Sequence, residues 1–320
     1  MKSLQQTVLK PMPSLPHRAS LGLILLVGLG GMLGCTRLQS PPTEIVSPPA
    51  EQASLRISVL PTHSETEQMR MIAPLDAHLE KVLGQPVDFL ISESYQDTVA
   101  MLVDGRANAA YTGAASYLEM EELGLEVTPI VASIDQFSSR PWYRAGIVVR
   151  ADSTIETLAD LKGKRVAFVN PSSTSGYLMP RAALQRLNID PQRDFSDVMF
   201  GDTYVDTEAL LAAGRVDAIA TNIPAYVKRQ HLGTLTPDNS RIIWQSSPVP
   251  NSPLVVKADL PPDMIENLKE AFLTMPPGLE GIIGAQAAGY TLVTASDYDP
   301  IRTIRKQLGI EIDSVTEVSE

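Results

Sequence analysis

One cysteine, Cys35, in 320 residues excludes an intramolecular disulfide. It also excludes a zinc site of four cysteines, or of two cysteines and two histidines. Histidine is scarce as well. His17, His63, His78 and His231 are scattered, with no pair at i, i+4 spacing, which argues against a metal catalyst built on His. Carboxylate sites stay open on that count, but no metal and no cofactor is expected. Basic excess is missing too: 26 Lys and Arg stand against 37 Asp and Glu, a net charge of −11. Phosphate neutralisation needs a basic face, so nucleic acid is not an expected partner. What the chain has is apolar mass. Its apolar fraction of 44% is enough for a sizeable core and argues against a disordered or fibrous protein.

The first 34 residues read as an address. Lys2, Lys10 and Arg18 are their only charged groups. The stretch Ala19–Leu33 then runs without a charge, short of the roughly 20 residues a bilayer-spanning helix needs. A basic head, a short apolar run and small residues at the end make a secretory signal. Met32-Leu33-Gly34-Cys35 resembles a bacterial lipobox, with Met at the outer position where Leu is usual. Lipidation of Cys35 is therefore expected, and with it a membrane anchor. A product starting at Cys35 keeps 23 basic and 37 acidic groups, a net charge of −14. Residues 35–53 carry Pro41, Pro42, Pro48 and Pro49 and read as an extended tether.

The body then repeats itself at an offset of 109 residues. Tyr95 to Thr112 reads YQDTVAMLVDGRANAAYT, and Tyr204 to Thr221 reads YVDTEALLAAGRVDAIAT. Nine of the eighteen positions are identical, including Tyr95/Tyr204, Gly105/Gly214 and Thr112/Thr221. Each copy reads as a helix N-capped near Asp97 or Asp206, a glycine stop and a short strand. Two pseudo-equivalent lobes are expected. Strand and helix alternate through the rest. Strands are expected at Leu55–Leu60, Val87–Ser92, Val127–Ala132, Arg144–Val149, Arg165–Val169 and Phe195–Phe200. Helices are expected at Gln68–Leu83, Pro262–Leu273, Gly278–Ala288 and Asp297–Leu308. The first of these should bury Ile72, Leu75, Leu79 and Val82 on one face. Such alternation means α/β sheets with right-handed crossovers. Ligands of open α/β sheets sit beyond the strand carboxyl ends. Tyr95, Thr112, Tyr204 and Thr221 therefore line one cleft if the lobes face each other.

Strand Arg165–Val169 runs into Asn170-Pro-Ser-Ser-Thr-Ser-Gly176 and a helix expected over Tyr177–Leu187. Hydroxyls of Ser172, Ser173, Thr174 and Ser175, with the free N–H groups of the helix start, suit an oxyanion. The GxxxxGK[ST] spacing of a P-loop is absent.

The run LADLKGKRVAFVNPSSTSGYLMPRAAL (Leu158 to Leu184) is similar to the phosphonate and phosphite substrate-binding proteins of ABC transporters. So are GRVDA (Gly214–Ala218) and SSPVPNSPLVV (Ser246–Val256). The resemblance implies an α/β, two-lobed periplasmic-binding-protein fold of type II, each lobe a mixed, mostly parallel sheet flanked by helices. Lobe 1 would take 54–149 and 253–320, lobe 2 would take 150–252, and two hinge crossings would lie near Val149 and Pro248–Pro253. It implies capture of a small phosphorus oxyanion and delivery to an ABC permease and its ATPase. It further implies a monomer held at the periplasmic or extracellular face. The ligand contacts it implies are Ser173, Thr174, Ser175, Tyr95 and Tyr143; with Thr112, Tyr204 and Thr221 from the facing repeats, and Asn222, they make the expected ligand set. Tyr204 stands where members often have His. Pro224 and Ser252 stand where aminoalkylphosphonate binders place carboxylates, so 2-aminoethylphosphonate is expected to bind poorly.

Other readings carry less. Arg140 or Arg144 would clamp an anion, but a solvated edge role is the commoner one. A serine hydrolase lacks both the GxSxG elbow and a base in a recognisable motif. A ligand-sensing lobe would need a separate membrane signalling partner, and an unrelated small anion remains an alternative cargo.

Overall fold

The computed structural model describes residues 54–310, apart from 136–137, 277–278, 280–281 and 283–286. The expected leader (1–34), Cys35 and the tether (35–53) lie outside the described residues. Along the chain come β1 (Leu55–Val59), α1 (Glu65–Leu83), β2 (Val87–Ile91), α2 (Tyr95–Val103), β3 (Ala109–Tyr111), α3 (Ala114–Glu122) and β4 (Val127–Asp135). β5 (Trp142–Tyr143) and β6 (Ala145–Arg150) follow. The order then resumes with β7 (Arg165–Phe168), α4 (Met179–Arg186), α5 (Pro191–Asp194), β8 (Asp197–Phe200), α6 (Tyr204–Ala212), β9 (Ala218–Asn222), α7 (Ile223–His231) and β10 (Ser240–Gln245). β11 (Val249–Pro250), β12 (Pro253–Lys257), α8 (Pro262–Leu273), β13 (Ala287–Leu292) and α9 (Asp299–Leu308) complete it.

The strands form two large sheets, ordered β13-β4-β12-β3-β1-β2 and β10-β6-β9-β7-β8. Their shared part is the same pattern twice. In each, two strands pair in parallel with a central one, β1 with β2 and β3, β7 with β8 and β9. In each, an antiparallel strand is inserted next, β12 beside β3 and β6 beside β9. The 109-residue repeat is therefore two matching lobes, with α2–β3 in one and α6–β9 in the other.

Local chemistry explains the elements. α1 buries Ile72, Leu75 and Leu79 against the first sheet, spaced as one helical face. Burying each such side chain stabilises by about 1.5–3 kcal/mol. Val82, expected to complete that face, is exposed instead, and the next residue, Leu83, packs against the core in its place. Gly105 and Gly214 follow their helices at φ +68° and +67°, a backbone that glycine adopts without strain.

Three expectations need correction. Asp97 and Asp206 are not the helix caps. Ser94 and Thr203 accept from the N–H groups of Asp97 and Asp206, so each Asp sits three residues inside its helix. The first crossing does not lie near Val149. Ala145–Arg150 is a strand of the second sheet, hydrogen-bonded to β9 and β10, so the chain has already crossed before Ala145. The helix expected over Gly278–Ala288 lies mostly outside the described residues, and its last two positions, Ala287 and Ala288, open β13 as extended chain paired with β4. The crossings themselves pair, as β5 with β11.

Candidate ligand-binding cleft

The hydroxyl-rich turn is shaped by its own side chains. Ser172 N–H donates to Asn170 Oδ1 (3.0 Å), and Gly176 N–H donates to Ser173 Oγ (3.1 Å). Leu178 N–H reaches back five residues to the Ser173 carbonyl (3.0 Å). Thr174–Leu178 is thus one wide π-type turn that leads into α4, and the helix starts earlier than the sequence indicated. Such turns often mark functional sites. Gly176 is packed on the strand end, where Val169 N–H donates to its carbonyl (3.0 Å).

Three tyrosines converge on this turn. Tyr204, first residue of α6, places its hydroxyl 2.7 Å from Ser175 Oγ and 3.3 Å from Ser173 Oγ. Tyr95, first residue of α2, comes from the other lobe and is buried. Tyr143 arrives from β5 in the crossing. Burial, then the neighbouring phenol of Tyr204, pushes Tyr95 and Tyr143 well above the ordinary tyrosine value. Burial raises Tyr111, on the same wall, to about 12. The phenols of Tyr95, Tyr143 and Tyr111 therefore keep their protons at neutral pH and face the cup as neutral O–H donors.

The cup opens into a cavity of ≈ 370 Å³ between the sheets. Of the expected ligand set, Tyr95, Tyr143, Ser173, Thr174, Tyr204 and Asn222 stand on its wall. Asn222 also caps α7, accepting from Ala225 N–H (2.7 Å). Ser175 is fully buried behind the wall, where it holds Tyr204. Thr112 and Thr221 are fully buried and do not reach the cavity. Their strand neighbours face it instead, since successive side chains alternate. Tyr111 and Gly113 line the wall on either side of Thr112, as Asn222 does beside Thr221. Thr221 instead donates to Glu208 Oε1 (3.4 Å), which pairs with Arg229 at 2.6 Å.

Several wall residues had no signal in the sequence. His63 comes from the loop before α1, Asp135 from the end of β4, and Lys228 and Arg229 from α7. Burial lowers His63 to about 4, with help from Lys228 and Arg229 and against Glu67, so its ring is neutral at pH 7. Pro224 and Ser252 do line the cavity, but the Asp135 carboxylate stands on the same wall. Asp135 is thus an acidic residue of the cavity outside the two positions that the resemblance singles out. The arginine clamp is not supported among the described contacts. Arg140 lies 6.0 Å over the Trp142 ring, Arg144 donates to the Ser246 carbonyl, and neither lines the cavity. Asp97 pairs with Arg106 (2.7 Å) outside the cavity.

Two matched α/β lobes, a double crossing and a hydroxyl-lined cavity between the sheets define a two-lobed solute-binding protein. The chain belongs to a family described as the phosphonate periplasmic substrate-binding proteins of ABC transporters, whose model matches residues 57–298. It is 27% identical, over 81% of its length and 87% of the relative's, to the phosphate-import protein PhnD of Mycolicibacterium smegmatis. Its fold is similar to that of a binding protein component of an ABC phosphonate transporter from Pseudomonas aeruginosa. The TM-score is 0.73 at 18% identity, covering 80% of this chain and 86% of that one. It is also similar to PhnD1 from Prochlorococcus marinus in complex with methylphosphonate. There the TM-score is 0.71 at 18% identity, covering 80% and 98%.

Proposed function

We propose that the chain captures a small phosphorus oxyanion (phosphite, a phosphonate or phosphate) between its lobes and delivers it to an ABC permease and its ATPase. The observation that carries this reading is the cup. Ser173, Thr174 and the phenols of Tyr95, Tyr143 and Tyr204 line one cavity beside the start of a helical segment. Neutral donors hold an anion by directed hydrogen bonds and release it when the lobes part. The methylphosphonate bound by the Prochlorococcus protein and the phosphate in the Mycolicibacterium relative's name favour the same ligand class. The reading is of a binder: Ser173 Oγ is engaged by Gly176 N–H and Tyr204, which fix it as part of the cup. It works as a monomer, tethered to the membrane through lipidated Cys35.

Isothermal titration of the protein against phosphite, methylphosphonate, phosphate, 2-aminoethylphosphonate and sulfate tests the reading. Tight binding of at least one phosphorus oxyanion is expected, and it should be lost in Ser173→Ala/Thr174→Ala. Unchanged binding in that double variant would remove the cup from the site. Labelling of cells with a palmitate analogue tests the anchor, which Cys35→Ser should abolish.

A further inference from the structure

We infer that Gln96 is a positioning residue for ligand capture. It grips the oxyanion turn of the second lobe from the first lobe and thereby sets how often the cleft is shut. The link from shutting to affinity rests on the capture reading above.

Gln96 follows Tyr95 in the first turn of α2. Tyr95 lines the cavity, while Gln96 reaches over the cleft rim. Its Nε2 donates to Asn170 Oδ1 (3.2 Å) and to Ser172 Oγ (3.3 Å). Asn170 Oδ1 is also the acceptor that shapes the turn by receiving Ser172 N–H. Ser116, in the first turn of α3, supplies a second grip by donating to the Ser172 carbonyl (3.1 Å). One residue earlier, Ala115 N–H donates to Thr174 Oγ1 (2.8 Å). Asn170 Nδ2 in turn donates to Gln96 Oε1 (3.5 Å), so the first lobe holds the Asn170–Thr174 turn at five atoms.

Two features make this a latch on the lobes. Gln96 and Ser116 do not line the cavity, so their loss removes no ligand contact. All the bonds run from protein to protein, so none of them waits for a ligand. Ser116 and Ser172 are buried and Gln96 is at the solvent-facing rim, so the latch is dry at one end and wet at the other. A ligand that needs the shut form binds in proportion to the shut fraction, so a weaker latch weakens apparent affinity even with the cup intact. Neutral hydrogen bonds of this kind change an equilibrium by about 2- to 10-fold each.

The test uses the full chain with Cys35→Ser and spin labels at Glu93→Cys and Gln192→Cys, one on each lobe. The interlobe distance distribution is measured by electron double resonance without ligand, before and after adding Gln96→Ala/Ser116→Ala. Melting curves check that both proteins fold. A shift of population to a second, altered distance in the latch variant is expected. Roughly tenfold weaker binding of phosphite or methylphosphonate should accompany it, carried mainly by faster dissociation. Identical ligand-free distributions would overturn the inference. If no phosphorus oxyanion binds either protein, the capture reading fails, and the distance measurement still decides the latch.

Discussion

Gly176→Ala should damage the cup from behind, and the cause is steric. Its backbone is ordinary, so no conformational penalty attaches to the alanine. The problem is space. An added Cβ would lie inside contact with Val169 Cγ2, 2.5 Å from Val169 Cβ and 2.8 Å from Ser173 Oγ. None of these can give way freely. Val169 is fully buried at the end of β7, and Ser173 Oγ is fixed by its bond from Gly176 N–H. Overpacking of this kind costs about 1–3 kcal/mol. For a body of this size that lowers Tm by about 2–10 °C. The turn must move away from the strand, which carries Ser173 and Thr174 out of line with Tyr204, and hydrogen bonds weaken steeply as they leave alignment. Affinity for whichever oxyanion binds should fall more than about tenfold. Val169→Ala should not rescue it, because the contact with Val169 Cβ remains. Gly113→Ala is the control. Gly113 lines the same cavity, but its added Cβ would meet nothing nearer than Thr174 Oγ1 at 3.6 Å. Its melting point and affinity should change little. Calorimetry and titration of the two variants decide the matter. A Gly176→Ala protein as stable and as tight as wild type would refute the packing argument.

Tyr204→Phe removes the hydroxyl shared by Ser173 and Ser175 and should weaken oxyanion binding by about 5- to 30-fold at unchanged Tm, by titration and melting. Glu208→Gln leaves Arg229, nearly buried, without its counter-charge and should cost about 3–5 kcal/mol in urea unfolding. The partly buried, neutral His63 makes stability depend on pH. Its folded value is about 4 against 6.5, so between those values the unfolded chain takes up a proton that the folded one refuses. Wild type should lose stability as pH falls from about 6.5 to about 4, relative to His63→Asn. Parallel urea midpoints for the two proteins across that window would contradict the burial of His63. 2-Aminoethylphosphonate binding, if found, should weaken on Asp135→Asn in titration while methylphosphonate binding stays level.

Much of the fold was legible because it is written in local chemistry. The glycines after α2 and α6, and the alternation of strand with amphipathic helix, mark the two lobes without any tertiary information. The misreadings have equally local causes. Ser94-x-x-Asp97 and Thr203-x-x-Asp206 carry the cap at their first position, and attention to the shared Asp put it at the last. Thr112 and Thr221 stand out in the sequence because the repeat keeps them, but strand alternation turns them into the interior. Their conserved place within the repeat reports packing: Thr221 anchors Glu208, which holds Arg229. The strand Ala145–Arg150 was assigned to the wrong lobe because a strand's sheet is settled by its partners, here β9 and β10, and not by its own residues. His63 and Asp135 were illegible as wall residues for a similar reason. Nothing in their neighbourhoods differs from ordinary loop and strand-end polarity, and it is the strand order of the first sheet that brings both to the cavity.

The pairing of the two crossings has a mechanical consequence. Tyr143 and Trp142 are in register with Val249 and Pro250, and Asn251 N–H donates to the Pro141 carbonyl (3.1 Å). The linkers are therefore one ribbon, and neither can swing without the other. That leaves rotation about the ribbon as the cheap motion and makes the ribbon an axle. Points on an axle travel least. Tyr143 is the part of the cup that sits there, while Tyr95 and Tyr204 ride out on the lobes. If the cup is the ligand site proposed above, an incoming anion would find one phenol already in its final place, with the others carried in by the lobes.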